Sequence, residues 1–153
     1  MTDTQKQALY KAASFCAYQE RTIKEVRQRM AEWELSEQDM GVVLAELMAQ
    51  NYLNETRFAK AFAGGKFRIK KWGKLKIKQE LKMRGLSNEL IQKGLQEIDG
   101  DQYEATLHDL IQKKAHALRG NTPLAMKQKL LRFALSRGFE NDLTWDAINT
   151  LGL

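Results

Sequence analysis

The 153 residues carry 25 lysines and arginines against 19 carboxylates, a formal charge of +6, and are 43% hydrophobic with one cysteine and one proline. That hydrophobic fraction excludes a disordered chain, and the lone Cys16 excludes an intrachain disulfide framework. No apolar run reaches the ~18 residues of a membrane span. Scarce proline with abundant Ala, Leu, Lys, Glu and Gln predicts a chain that is mostly helix. The opening MTDTQKQALYKAAS has no basic stretch leading into an apolar one, which predicts a cytoplasmic protein.

Capping signals divide the chain in order. Thr2 with Gln5 forms a capping box ahead of a helix over roughly 3–19, and Thr22 with Glu25 a second ahead of roughly 22–33. Ser36, followed by the acids Glu37 and Asp39, opens a helix to about 50. Asn54 is the N-cap of roughly 55–70; Gly73 breaks that segment before a helix to about 84, which Gly85 ends at C′. Ser87 caps a helix to about 98, and a helix of about 102–118 follows Gly100. Thr122 and Pro123 open a helix to Arg137 that Gly138 ends, and Asn141 caps a last short helix.

These nine helices repeat. At a spacing of 51, Val26, Met30, Leu35, Ser36, Leu44 and Leu47 fall on Ile77, Leu81, Leu86, Ser87, Leu95 and Ile98. A further 53 residues on, the apolar members fall on Leu130, Ala134, Phe139, Ile148 and Leu151. The expected fold is all-α, with three tandem three-helix units at 2–53, 54–100 and 101–153 in an elongated, curved helical-repeat arrangement.

The charge is uneven. Residues 1–59 hold seven basic and nine acidic side chains, whereas residues 60–84 hold ten basic and one acidic, a local net of +9. On a wheel of 100° per residue, Lys74, Lys78 and Lys82 fall within an arc of about 80°, with Ile77 and Leu81 on an adjoining face. In the preceding helix Phe58, Phe62 and Ile69 share one stripe, and Lys60, Arg68 and Lys71 another. Ile69, Ile77 and Leu81 are therefore expected in the core. Like charges at i,i+4 cost a few tenths of a kcal/mol each, a cost offset when phosphates or acidic side chains lie opposite. Lys60, Lys66, Arg68, Lys70, Lys71, Lys74, Lys78 and Lys82 form the candidate binding face, for nucleic acid or for an acidic protein. Trp72 either packs at a helix junction or stacks on a base.

No catalytic constellation stands out. "AGGKF" at 63–67 lacks the spacing and the Lys-Ser/Thr ending of a phosphate-cradling loop. His108 and His116 lack the partners of a metal site, and the acids form no pair for acid–base work. Cys16, Trp33 and Trp145 are expected as packing residues. The chain is expected to be neither an enzyme nor a cofactor or metal carrier. A helix-turn-helix reader of bases fits poorly, since Glu37, Asp39 and Glu89 begin the third helices and phosphates would repel them.

The strings "NYLNETRFAKAF" and "KKWGKLKIKQELKMRGLS" resemble the RecX family of regulators of the RecA recombinase. Tyr52, Leu53, Arg57, Phe58 and Ala59 match its aromatic-Leu-acid-acid-x-Arg-Phe-Ala string. Gly73, Ile77, Leu81, Gly85 and Leu86 match the helix that follows, and Gly138 and Phe139 match a later Gly-Phe string. Asn54 replaces one of the two acids, and Trp72 stands where the family often has a small or basic residue. The resemblance implies a non-enzymatic, monomeric protein of DNA repair, recombination and the SOS response. It would bind RecA, alone or as a filament on single-stranded DNA, and dampen strand exchange, ATP hydrolysis and coprotease activity. The residues alone also admit a general nucleic-acid-binding helical protein with no recombinase partner.

Overall fold

The computed structural model describes all 153 residues. Its helices are α1 (Asp3–Tyr18), α2 (Ile23–Glu32), α3 (Glu37–Ala49), α4 (Glu55–Gly65), α5 (Lys74–Met83), α6 (Asn88–Leu95), α7 (Gly100–Ala117), α8 (Pro123–Ser136) and α9 (Asn141–Asn149). A π-helical turn, Lys66–Lys70, continues α4.

The caps explain where most of these helices begin. Thr2 accepts the Gln5 N–H at 3.1 Å while Gln5 accepts the Thr2 N–H at 3.0 Å, so both halves of that box form. Thr22 accepts from the Glu25 N–H at 3.1 Å, but its hydroxyl, not its backbone, meets the Glu25 carboxylate. Ser36, Asn54, Ser87 and Thr122 each accept the N–H three residues on. Two expectations are corrected. Asp99 accepts from the Gln102 N–H at 2.9 Å, so α7 starts at Gly100 rather than about 102. Glu140, not Asn141, is the N-cap residue of α9, and it makes no side-chain cap bond there.

The chain packs as two compact bodies, residues 1–61 with 81–94 and residues 62–80 with 95–153. Segment 54–100 contributes to both. In the first, α1, α2 and α3 enclose Ala8, Ala12, Cys16, Val26, Met30, Val43, Leu44 and Leu47. Burial pushes the Cys16 thiol above its ordinary pKa, consistent with the packing role expected of it. Glu55, at the start of α4, accepts the Ile23 N–H at 3.1 Å, putting a carboxylate on the N-terminus of α2.

In the second body α7, α8 and α9 pack together. Phe67, Tyr103 and Phe139 form a run of buried rings with centroids 5.6 and 5.2 Å apart. The Tyr103 hydroxyl accepts the Lys74 N–H at 2.8 Å and donates to the Glu140 carboxylate. Backbone then meets backbone beside it: Gly73 N–H donates to Arg137 O at 2.7 Å and Leu75 N–H to Gly138 O at 3.0 Å. A Cβ on Gly73 would lie 2.2 Å from the Gly138 carbonyl carbon, and one on Gly138 2.3 Å from Lys76 Cβ.

The repeat is visible in the backbone. Glu34, Gly85 and Gly138 follow α2, α5 and α8 at the spacings of 51 and 53, and all three have positive φ (59°, 88° and 93°). Ser36, Ser87 and Glu140 precede α3, α6 and α9 at the same spacings. The wheel failed at one place: Ile69, expected in the core, is 78% exposed, and Phe67 is buried instead. Phe67 follows the buried Ala59 and Ala63 at successive spacings of four, so it shares their inward face, and Ile69, two residues on, lies nearly opposite.

Gly73→Ala or Gly138→Ala should lower unfolding stability by about 2–3 kcal/mol, since the clashing atoms are mostly backbone or anchored to it. Gly41, in α3 with nothing within 4 Å of a Cβ, should gain about 0.5–1 kcal/mol on replacement by Ala, all three read by urea unfolding. Tyr103→Phe should cost about 1–3 kcal/mol by stranding the Lys74 N–H and Glu140. Burial and the Glu140 bond hold the Tyr103 hydroxyl far above the ordinary tyrosine value of 10.0. Above that value the unfolded chain loses this proton while the folded chain keeps it, so stability falls as pH rises. Unfolding midpoints measured on the alkaline side should show this loss, diminished in Tyr103→Phe.

Candidate functional site

The π turn, residues 71–73 and the start of α5 carry most of the candidate cations, all within the second body. Arg68, Lys70, Lys71 and Lys78 are exposed; Lys66 and Lys74 are half-buried. Lys60 on α4 and Lys82 near the end of α5 are also exposed but belong to the first body. The expected stripe of Lys74, Lys78 and Lys82 is thus not uniform. Lys74 is tied at its backbone to Tyr103, and its ammonium lies 4.7 Å from the centre of that ring.

Helix-ending geometry sets how the basic turn is displayed. Lys71 ends the π turn with φ 59°, its N–H donating to Phe67 O at 3.0 Å, and the chain then enters Gly73. Arg137, from the end of α8, donates to Lys70 O at 3.3 Å and brings a further guanidinium to the turn. The Arg68 guanidinium folds over Gly64, where a Cβ would lie 2.6 Å from Nη2.

Trp72 is half-buried and meets Phe62 edge-on, centroids 6.4 Å apart at 66°. Lys66 and Lys76 ammoniums lie 4.9 and 4.6 Å from its ring centre. Its ring is occupied by junction contacts. Lys76 and Arg137 belong to this neighbourhood and were absent from the sequence-derived face. Arg137 stands directly before Gly138, whose match to Gly73 in space only the fold reveals.

The motif residues divide cleanly. Leu53, Phe58, Gly73, Ile77 and Leu81 are buried. Arg57 donates to Glu20 at 2.6 Å and to the Asn51 and Tyr52 carbonyls at 3.1 and 3.3 Å, so it fastens the α3–α4 connection. Asn54 caps α4 in place of an acid, accepting the Arg57 N–H at 3.0 Å. Tyr52 is exposed, and Gly85 turns the chain out of α5. No helix is long and apolar enough to cross a membrane, and no cluster of His, Cys, Asp and Glu could hold a metal ion.

Two family models match the chain: the second three-helix domain of RecX over residues 54–95 and its third three-helix domain over 101–148. The curated "Regulatory protein RecX" of Haemophilus influenzae is 31% identical over 125 residues, covering 81% of each protein. That of Lactobacillus johnsonii is 29% identical over 146 residues, covering 95% of this chain, which spans 54% of that relative's length. The crystal structure of RecX from Lactobacillus salivarius has the same fold, with a TM-score of 0.92 at 19% identity over 99% of both chains. On the family models and the Haemophilus relative together, the chain belongs to the RecX family.

Proposed function

We propose that this chain is a non-enzymatic regulator that binds a RecA-type recombinase, free or as its filament on single-stranded DNA. It dampens ATP hydrolysis, strand exchange and coprotease activity, in the cytoplasm, as part of DNA repair, recombination and the SOS response. Membership of a family whose relatives are named regulatory proteins carries the reading. The proposed units are 2–53, 54–100 and 101–153, and the chain acts as a monomer.

The contact we assign is the basic turn of the second body: Arg68, Lys70, Lys71 and Lys78; Lys60 and Lys82 are proposed as separate contacts on the first body. Lys74 supports this surface rather than reaching the partner. Ile69, exposed between Arg68 and Lys70, favours an acidic protein surface with apolar ground over phosphate alone, because burying it on binding releases water from apolar area. Single-stranded DNA held in a filament is a secondary contact for the same cations.

The test is the DNA-dependent ATPase of the cognate recombinase. The chain should inhibit at or below equimolar amounts, and excess single-stranded DNA should leave the inhibition in place. Relief by DNA would mark simple competition for DNA, the general nucleic-acid-binding reading. Lys70→Glu with Lys71→Glu and Lys78→Glu should raise the half-inhibitory concentration about tenfold or more with circular dichroism unchanged. Ile69→Ser should weaken inhibition without loss of stability. Phe67→Ser, at the buried position of the same turn, should instead destabilise the fold by about 3 kcal/mol or more in urea unfolding.

A further inference from the structure

We propose that the α7–α8 face is a docking groove for an acidic peptide segment of a protein partner, using residues other than those of the basic turn. All six carboxylates of residues 101–153 (Asp101, Glu104, Asp109, Glu140, Asp142 and Asp146) lie outside 110–139. Within 110–139 stand Lys113, Lys114, Arg119, Lys127, Lys129, Arg132 and Arg137, seven cations and no acid. The net of +1 over 101–153 hides this segregation. Of the seven, Lys113 is paired with Asp109 at 2.9 Å and does not line the groove.

The groove has a shape as well as a charge. A hollow of about 480 Å³ is lined by Lys114, Leu118, Lys129, Arg132, Phe133 and Ser136. A second hollow of about 440 Å³ is lined by Gln128, Leu131, Arg132 and Leu135, so Arg132 borders both. Leu118 and Phe133 give the first its apolar lining beside Lys114, Lys129 and Arg132, and Leu131 and Leu135 line the second, where Arg132 is the cation. Lys114 and Arg137 both lie 5.2 Å from the centre of the Phe133 ring. Apolar lining beside these cations matches an apolar anchor flanked by carboxylates. Lys129 and Arg132, three apart on α8, repel each other when empty, and carboxylates laid between them remove that cost. The occupant is therefore an acidic peptide rather than a nucleic acid.

A phage-displayed library of random dodecapeptides, panned on the full chain, tests this. Enriched peptides should be rich in Asp and Glu and carry one or two Leu, Ile or Phe anchors. As synthetic peptides they should shift the backbone amide resonances of Lys114, Lys129 and Arg132. Affinity should fall about tenfold or more in Lys129→Glu with Arg132→Glu, and measurably in the milder Lys129→Gln with Arg132→Gln. Lys70→Glu with Lys78→Glu should leave it unchanged. Enrichment of sequences without acids, or acidic peptides whose shifts map away from α7 and α8, overturns the proposal. So does a thymidine oligonucleotide that shifts the groove amides when acidic peptides do not. None of these readouts involves the recombinase, so this inference and the preceding one stand or fall separately.

Discussion

The hydroxyl of Tyr103 is the point on which the second body depends. It is buried among Phe67 and Phe139, accepts from the first N–H of α5 and donates to the residue that opens α9. A buried hydroxyl is costly unless both its donor and its acceptor capacity are used, and here both are. Because Lys74 is fixed at its backbone, Gly73 can lie against Gly138 within a distance that no side chain would permit. The basic turn from Lys66 to Lys71 is thereby anchored at its far end. Its display of charge follows from a buried aromatic core, not from the lysines themselves.

Much of the fold was legible because the chain states its helix boundaries locally. Thr2, Thr22, Ser36, Asn54, Ser87 and Thr122 each take an N–H three residues on, a bond that needs no tertiary context. Glu140 escaped because its side chain is engaged by Tyr103 rather than by its own helix. Its position was still written in the repeat, 53 residues beyond Ser87. The matching positive φ of Glu34, Gly85 and Gly138 shows why the repeat survives sequence change: the turn geometry is kept even where glycine is not.

The candidate site was less legible, for two physical reasons. The stripe of Phe58, Phe62 and Ile69 stands out by size, whereas the inward face at this end of the segment runs through Ala59, Ala63 and Phe67, whose small alanines carry little apolar signal. A net charge, in turn, is a sum, and a sum cannot see that the acids of 101–153 stand at its two ends while the cations occupy its middle. Lys76 and Arg137 join the basic turn only through the approach of α5 to the end of α8, a long-range contact with no local signature.

Both bodies rest cations on rings, Arg21 and Arg29 on Phe15 and Lys11 on Trp33 in the first, and the first also pairs its arginines with carboxylates. In the first, Arg21, Arg27, Arg29 and Arg57 face Glu25, Glu37, Glu32 and Glu20 across ion pairs. In the second, Lys66 and Lys76 rest on Trp72, Lys74 on Tyr103, and Lys114 and Arg137 on Phe133. An ion pair cancels the field of a cation, and an incoming anion must displace the carboxylate before it gains anything. A ring holds the aliphatic stem and steadies the ammonium through its quadrupole while leaving the full unit charge in place. Aromatic support is therefore the arrangement that keeps like charges ordered yet available. In the second body the ring-supported Lys66, Lys74, Lys76, Lys114 and Arg137 are half-buried, and the exposed Arg68, Lys70, Lys71, Lys78, Lys129 and Arg132 stand beside them as the charge we propose for an acidic partner.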